Sequence, residues 1–112
     1  MDMGTFSEIN KRRCESPSGF NHALKSWSLS DWMTAITGEL GEAANIAKKL
    51  NRVRDGIPGN NMTEAELRAA FRKEMADTFI YLDLACQSEG FLLQDAVFEK
   101  FEETSRKIGY QP

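Results

Sequence analysis

Proline, cysteine and histidine are scarce in this sequence, at 3, 2 and 1 residues among 112. Pro17, Pro58 and Pro112 all fall outside the apolar periodic runs, which leaves long helices free to form between them. Two cysteines allow at most one bridge. Cys86 lies in an apolar helical run where a thiol acts as a small hydrophobe, so both it and Cys14 are expected to be reduced. The lone histidine, His22, sits in a loop and is expected to face solvent or make a simple hydrogen bond. No Glu-x-x-His pair occurs, which excludes a ferritin-like carboxylate bundle. A basic surplus is also missing: the formal net charge is −3, so no field exists to hold polymeric DNA or RNA. No apolar run approaches the ~18 residues of a membrane span, and the first fifteen residues lack the apolar stretch of a signal peptide. A cytoplasmic location is expected. No segment alternates apolar and polar residues with β-branched enrichment, so no strand is expected.

What is present is helical. A chain of this length, 41% hydrophobic and 28% charged, suits one domain spanning residues 1–112 with a modest core. A short helix is expected from about Thr5 to Cys14, followed by the loop "ESPSGFNHALKSW". Ser28 or Ser30 caps a long second helix ending near Arg54. After the turn "DGIPGNN", Thr63 and Glu66 form a capping box that opens a third helix, reaching about Ser88. Gly90 ends it, and a fourth helix closes at Gly109. The expected class is therefore all-α, an antiparallel four-helix bundle completed by oligomerisation.

Two of these helices carry acids where packing residues belong. On the second, Trp32, Ile36, Ala43, Ile46 and Leu50 form one stripe; Glu39 falls within it and Glu42 at its edge. On the third, apolar around most of its circumference, Glu74 and Asp77 stand among Phe71, Met75, Leu82 and Leu84. Spacing alone proves little, because 17 acids in 112 residues give roughly two to three i,i+3 pairs by chance, of which Glu99 and Glu102 are one. Position distinguishes the other two pairs. Desolvated carboxylates are costly unless compensated, and a divalent cation with hard oxygen ligands, Mg²⁺ or Mn²⁺, compensates four at once. The periodicity leaves two other readings open: neutralisation by lysine or arginine, and a solvated bundle edge.

The stretch "WSLSDWMTAITGELGEAANIAKKLNR", followed by "EMADTFIYLDLA", resembles the MazG-like all-α nucleoside triphosphate pyrophosphohydrolases, marked by an E-x-x-E helix paired with an E-x-x-D helix. The similarity runs from about Trp27 to Gly109. It implies metal-dependent hydrolysis of a nucleoside triphosphate to the monophosphate and pyrophosphate, typically in nucleotide-pool housekeeping. It also implies assembly as a homodimer or homotetramer. Carried over by position, Glu39, Glu42, Glu74 and Asp77 match the metal ligands, and Lys100 matches a phosphate-proximal lysine. Tyr81 matches a tyrosine facing the nucleotide. Thr104 stands where many members have asparagine and lacks the amide's paired donor and acceptor.

A polyphosphate calls for further cations, and "KKLNRVR" follows the first acid pair. Lys49 shares the side of the helix that carries Glu42, while Lys48, Arg52 and Arg54 suit equally a basic helix C-terminus facing solvent. Trp27 is a candidate for stacking on a base, whereas Trp32, central in the apolar stripe, suits core packing. The rival function is a non-catalytic helical dimerisation or nucleotide-binding module whose acids are structural.

Overall fold

In a computed structural model, which describes residues 1–111, the chain forms four α-helices: α1 (Met3–Glu15), α2 (Leu29–Arg54), α3 (Glu64–Ser88) and α4 (Leu93–Ile108). A 3₁₀ turn at Leu24–Ser26 precedes α2, and no strand occurs among the described residues. The all-α expectation is met. No helix of the described chain is long and apolar enough to cross a membrane.

Helix ends follow local chemistry. Asp2 caps α1 by accepting from the Thr5 amide at 2.7 Å. At α3, the Thr63 amide donates to Glu66 at 3.0 Å and the Glu66 amide donates to the Thr63 hydroxyl at 3.1 Å, the reciprocal box read in the sequence. Gly109 closes α4 with φ 73°, a left-handed geometry that glycine adopts without strain. The loop after α2 is tied down by side chains, Asn60 donating to the Lys49 carbonyl and Arg52 to that of Pro58, each at 3.0 Å.

Two compact units are resolved, and α3 runs through both. One comprises Met1–Leu29 and the chain from Leu82 onward. In it α1 turns Ser7, Asn10 and Cys14 inward beside Leu24, Leu84 and Ala85. Asp83, only 1% exposed, accepts from Ser7 Oγ at 2.5 Å, Asn10 Nδ2 at 2.9 Å and Gln87 Nε2 at 2.9 Å. Both cysteines are free, as expected. His22 shares a hydrogen bond with Ser26 Oγ at 3.3 Å and meets the Trp27 ring edge-on at 4.6 Å.

The loop after α1 folds tightly against the helix end. The Phe20 amide donates to the Arg13 carbonyl at 3.0 Å, and a Cβ placed on Gly19 would lie 1.9 Å from that same oxygen. Backbone must move to admit any side chain there. Gly19→Ala is expected to cost about 2 kcal/mol in urea denaturation, within the range for overpacking; a loss under half of that would show that the loop yields freely.

The other unit, Ser30–Tyr81, holds most of α2 and the first part of α3. Trp32, Ile36 and Ala43 are buried from α2, as its apolar stripe anticipated, and Leu67 and Thr78 are buried from α3. The Trp32 and Tyr81 rings lie 6.4 Å apart at 57°. Glu39 meets Glu74 and Asp77, while Leu50 and Val53 share a cleft with Arg68 and Phe71, so the helices run antiparallel. The apolar run of α3 is not covered on all sides within this chain, because Phe71, Met75 and Phe79 are exposed, as are Met33 and Leu40 on α2.

Candidate metal centre

The antiparallel pairing of α2 and α3 sets the two acid motifs face to face. One carboxylate oxygen from each of Glu39, Glu74 and Asp77 lies within 4.8 Å of the others. Glu39 and Glu74 are half-buried, whereas Glu42 and Asp77 are exposed. Each pair therefore straddles the edge of the helix interface, the position that the winding of α2 indicates for Glu39 and Glu42.

Crowding of like charge appears in the titration of the group. Glu74 is held above the usual glutamate range, first by its hydrogen-bonding contact with Glu39, then by burial, and further by the charges of Glu39 and Asp77; the contact with Glu42 works the other way. Glu42 is also raised, by its contact with Glu74 and that group's charge, with smaller contributions from burial and from Asp77. The Glu74 Oε2 atom is buried and faces no donor when its neighbours are ionised. A proton on a neighbouring carboxyl supplies one donor; a hard divalent cation would satisfy several oxygens together. The chemistry of these residues fits such an ion.

The linkage has a definite sign. Glutamates raised in the folded chain bind more protons there than when unfolded, so this stabilising difference is fully present below the ordinary value of 4.5. It is lost as pH rises through the elevated range. Glu74→Gln removes the repulsion, so the metal-free variant is expected to melt a few degrees above the parent at about pH 8 and to converge with it at about pH 4. Mg²⁺ is expected to raise the parent's midpoint more at about pH 8 than at about pH 5. A parent-to-variant gap that stays flat across this range would contradict the assignment.

The remaining candidates divide between the units. Lys49 is half-buried, seven residues along the Glu42 side of α2, and Tyr81 lies one turn beyond Asp77 on α3. Arg52 is engaged with the Pro58 carbonyl. Trp27, Lys100 and Thr104 belong to the first unit. Lys100 there is exposed and pairs with Glu103 at 3.6 Å, and Thr104 is exposed. Lys73, one turn before Asp77, is a basic residue that the sequence pattern did not single out, although its i,i+4 relation to Asp77 was readable. Comparison of the chain with protein-family models, curated proteins and solved structures finds no match.

Proposed function

We propose that this protein is a metal-dependent nucleoside triphosphate pyrophosphohydrolase that cleaves (deoxy)nucleoside triphosphates to the monophosphate and pyrophosphate in the cytoplasm. The observation that carries the reading is the convergence of Glu39, Glu74 and Asp77 within 4.8 Å from two facing helices, with Glu74 Oε2 buried and without a donor. The resemblance of both acid motifs and their order to the MazG-like enzymes supplies the reaction.

Glu39, Glu74 and Asp77 would hold Mg²⁺ or Mn²⁺, with Glu42 beside them. When bound, such an ion polarises the α-phosphoryl group and offsets charge on the leaving pyrophosphate. Glu42 stands outside the three converging carboxylates and is exposed, with an elevated proton affinity. That suits it to take the proton of the attacking water. The water oxygen bonds to the α-phosphorus, the bond to the α,β-bridging oxygen breaks, and pyrophosphate carries away the electron pair. Lys49 draws the phosphate chain along α2, and Tyr81, set against Trp32, lies toward the nucleotide. Lys100 and Thr104 enter as substrate contacts through the resemblance alone, Trp27 as an aromatic that suits stacking on a base, and Arg52 as one of the cations that follow the first acid pair.

Exposed Met33, Leu40, Phe71, Met75 and Phe79 support the homodimer or homotetramer that the resemblance implies. The direct test is pyrophosphate release from a panel of common and damaged triphosphates, with and without Mg²⁺ or Mn²⁺. Metal-dependent release of pyrophosphate and monophosphate in equal amounts is expected. Release of orthophosphate, or turnover undiminished by chelator, would refute the reading.

A further inference from the structure

A site of four carboxylates poses an electrostatic problem for a polyphosphate. One divalent cation offsets only half of the acid charge, so a triphosphate approaches a centre that is still negative. Cations of the protein itself must make up the difference. Within Ser30–Tyr81, three of the seven lysines and arginines are already committed: Arg54 pairs with Asp55 at 2.9 Å, Arg68 with Glu64 at 2.9 Å, and Arg52 donates to Pro58. Lys48, Lys49, Arg72 and Lys73 make no ion pair with any described residue.

Helical phase separates these four. At about 100° per residue, Lys49 lies about 20° from the line of Glu42, and Lys73 about 40° from that of Asp77, on the side away from Glu74. Lys48 and Arg72 point about 120° and 140° away from the same lines. Lys73 thus stands at the outer rim of the acid group. Its lack of a partner is informative, because Asp77 occupies the i+4 position where a surface helix commonly forms an ion pair. The Asp77 carboxylate instead converges with Glu39 and Glu74, and the ammonium is left unspent.

The opposite rim is bare. Gly38 and Gly41 flank Glu39 on the outward side of α2, and a Cβ on either would meet nothing within 4 Å. Packing does not require them, although glycine inside a helix costs roughly 0.5–1 kcal/mol relative to alanine. They leave open space at these two positions of α2.

We propose that Lys73 is a substrate-binding residue that engages the polyphosphate chain at the rim of the acid group, complementing Lys49 farther along α2. This rests on the pyrophosphohydrolase reading above. Lys49 lies about 10 Å along the helix from Glu42, at 1.5 Å per residue, so the two lysines address different parts of the chain. In this arrangement Lys73 serves the phosphates held at the acid group, and Lys49 those that extend along α2.

The probe is inorganic tripolyphosphate, which carries the phosphate chain without a base. Its binding to the full chain in saturating Mg²⁺, measured by calorimetry, is compared for the parent, Lys73→Gln, Lys73→Arg and Arg72→Gln. Lys73→Gln is expected to weaken binding about tenfold, as for loss of a charge-assisted contact. KM for the best triphosphate should rise by a similar factor with kcat changed less than threefold, and Mg²⁺ affinity should not fall. Lys73→Arg should keep most of the affinity, and Arg72→Gln should stay within twofold of the parent. Equal losses in Lys73→Gln and Arg72→Gln would reduce the effect to net charge and overturn the proposal. So would parent-like binding by Lys73→Gln in a protein that hydrolyses triphosphates. A parent that neither hydrolyses triphosphates nor binds tripolyphosphate would refute the underlying reading, and this inference with it.

Discussion

Glu74→Gln is expected to lower kcat/KM for pyrophosphate release by about a thousandfold or more, while helicity is unchanged and the metal-free protein melts slightly higher. The side chain has about the same volume, so packing around Leu67 and Thr78 is preserved, but one anionic oxygen becomes an amide nitrogen that cannot ligate a cation. Glu74 is the shared member of the group, in contact with both Glu39 and Glu42, so its loss dismantles both contacts. Glu39→Gln and Asp77→Asn should fall in the same range, and the double variant should be little worse than either single one, because residues acting as a unit are not additive. Isothermal titration with Mg²⁺ separates the causes: lost activity with parent-like metal binding would move Glu74 out of the ligand set. Full activity in all three variants would sink the metal-centre reading, whereas a parent that releases no pyrophosphate would favour the non-catalytic alternative.

The opposite signs of the two effects, activity down and metal-free stability up, are what distinguishes a functional acid group from a structural one. A salt-bridged surface acid loses a little stability on neutralisation. A carboxylate held among carboxylates gains it. This contrast also explains how the site came to be legible in the sequence. Glu39 and Glu74 broke the apolar pattern of their own helices, and local pattern is what sequence reading sees best. The Thr63–Glu66 box and the Gly109 terminus were legible for the same reason, since each is fixed by residues within four positions of one another. What local pattern does not carry is pairing across the chain. Arg52 reads as a free cation beside the first acid motif, yet it is spent on the Pro58 carbonyl of the following loop. Phe71 and Met75 read as interior from periodicity, but 36% and 43% of their surfaces stay exposed in this chain. Asp83 does not stand out inside "EMADTFIYLDLA" because its partners, Ser7 and Asn10, lie 76 and 73 residues away.

Asp83→Ala is expected to cost about 3–5 kcal/mol, the largest stability loss of any single substitution considered. The carboxylate is 1% exposed and, among the described residues, has no lysine or arginine paired with it; its charge is met by three neutral donors. Truncation to alanine leaves buried donors of Ser7 and Asn10 without this acceptor, at about 1–3 kcal/mol each, and adds a small cavity. Gln87 is the least affected, because its amide also donates to the Ser7 carbonyl at 2.9 Å. Against a total stability of about 5–15 kcal/mol, such a loss leaves α1 loosely held even where the chain remains folded. Urea denaturation gives the magnitude, and amide exchange locates it: protection should fall most along α1. Asp83→Asn should be intermediate, since its one remaining oxygen can serve only one side of the network while its amide group is set against the donors on the other side. The decisive comparison is a triple variant, Ser7→Ala, Asn10→Leu and Asp83→Leu. Replacing the whole network by apolar groups should recover much of the loss, because removing both partners spares the unpaired donors. A cost below about 1 kcal/mol for Asp83→Ala would mean that water reaches these donors, and that α1 is held by its apolar contacts alone.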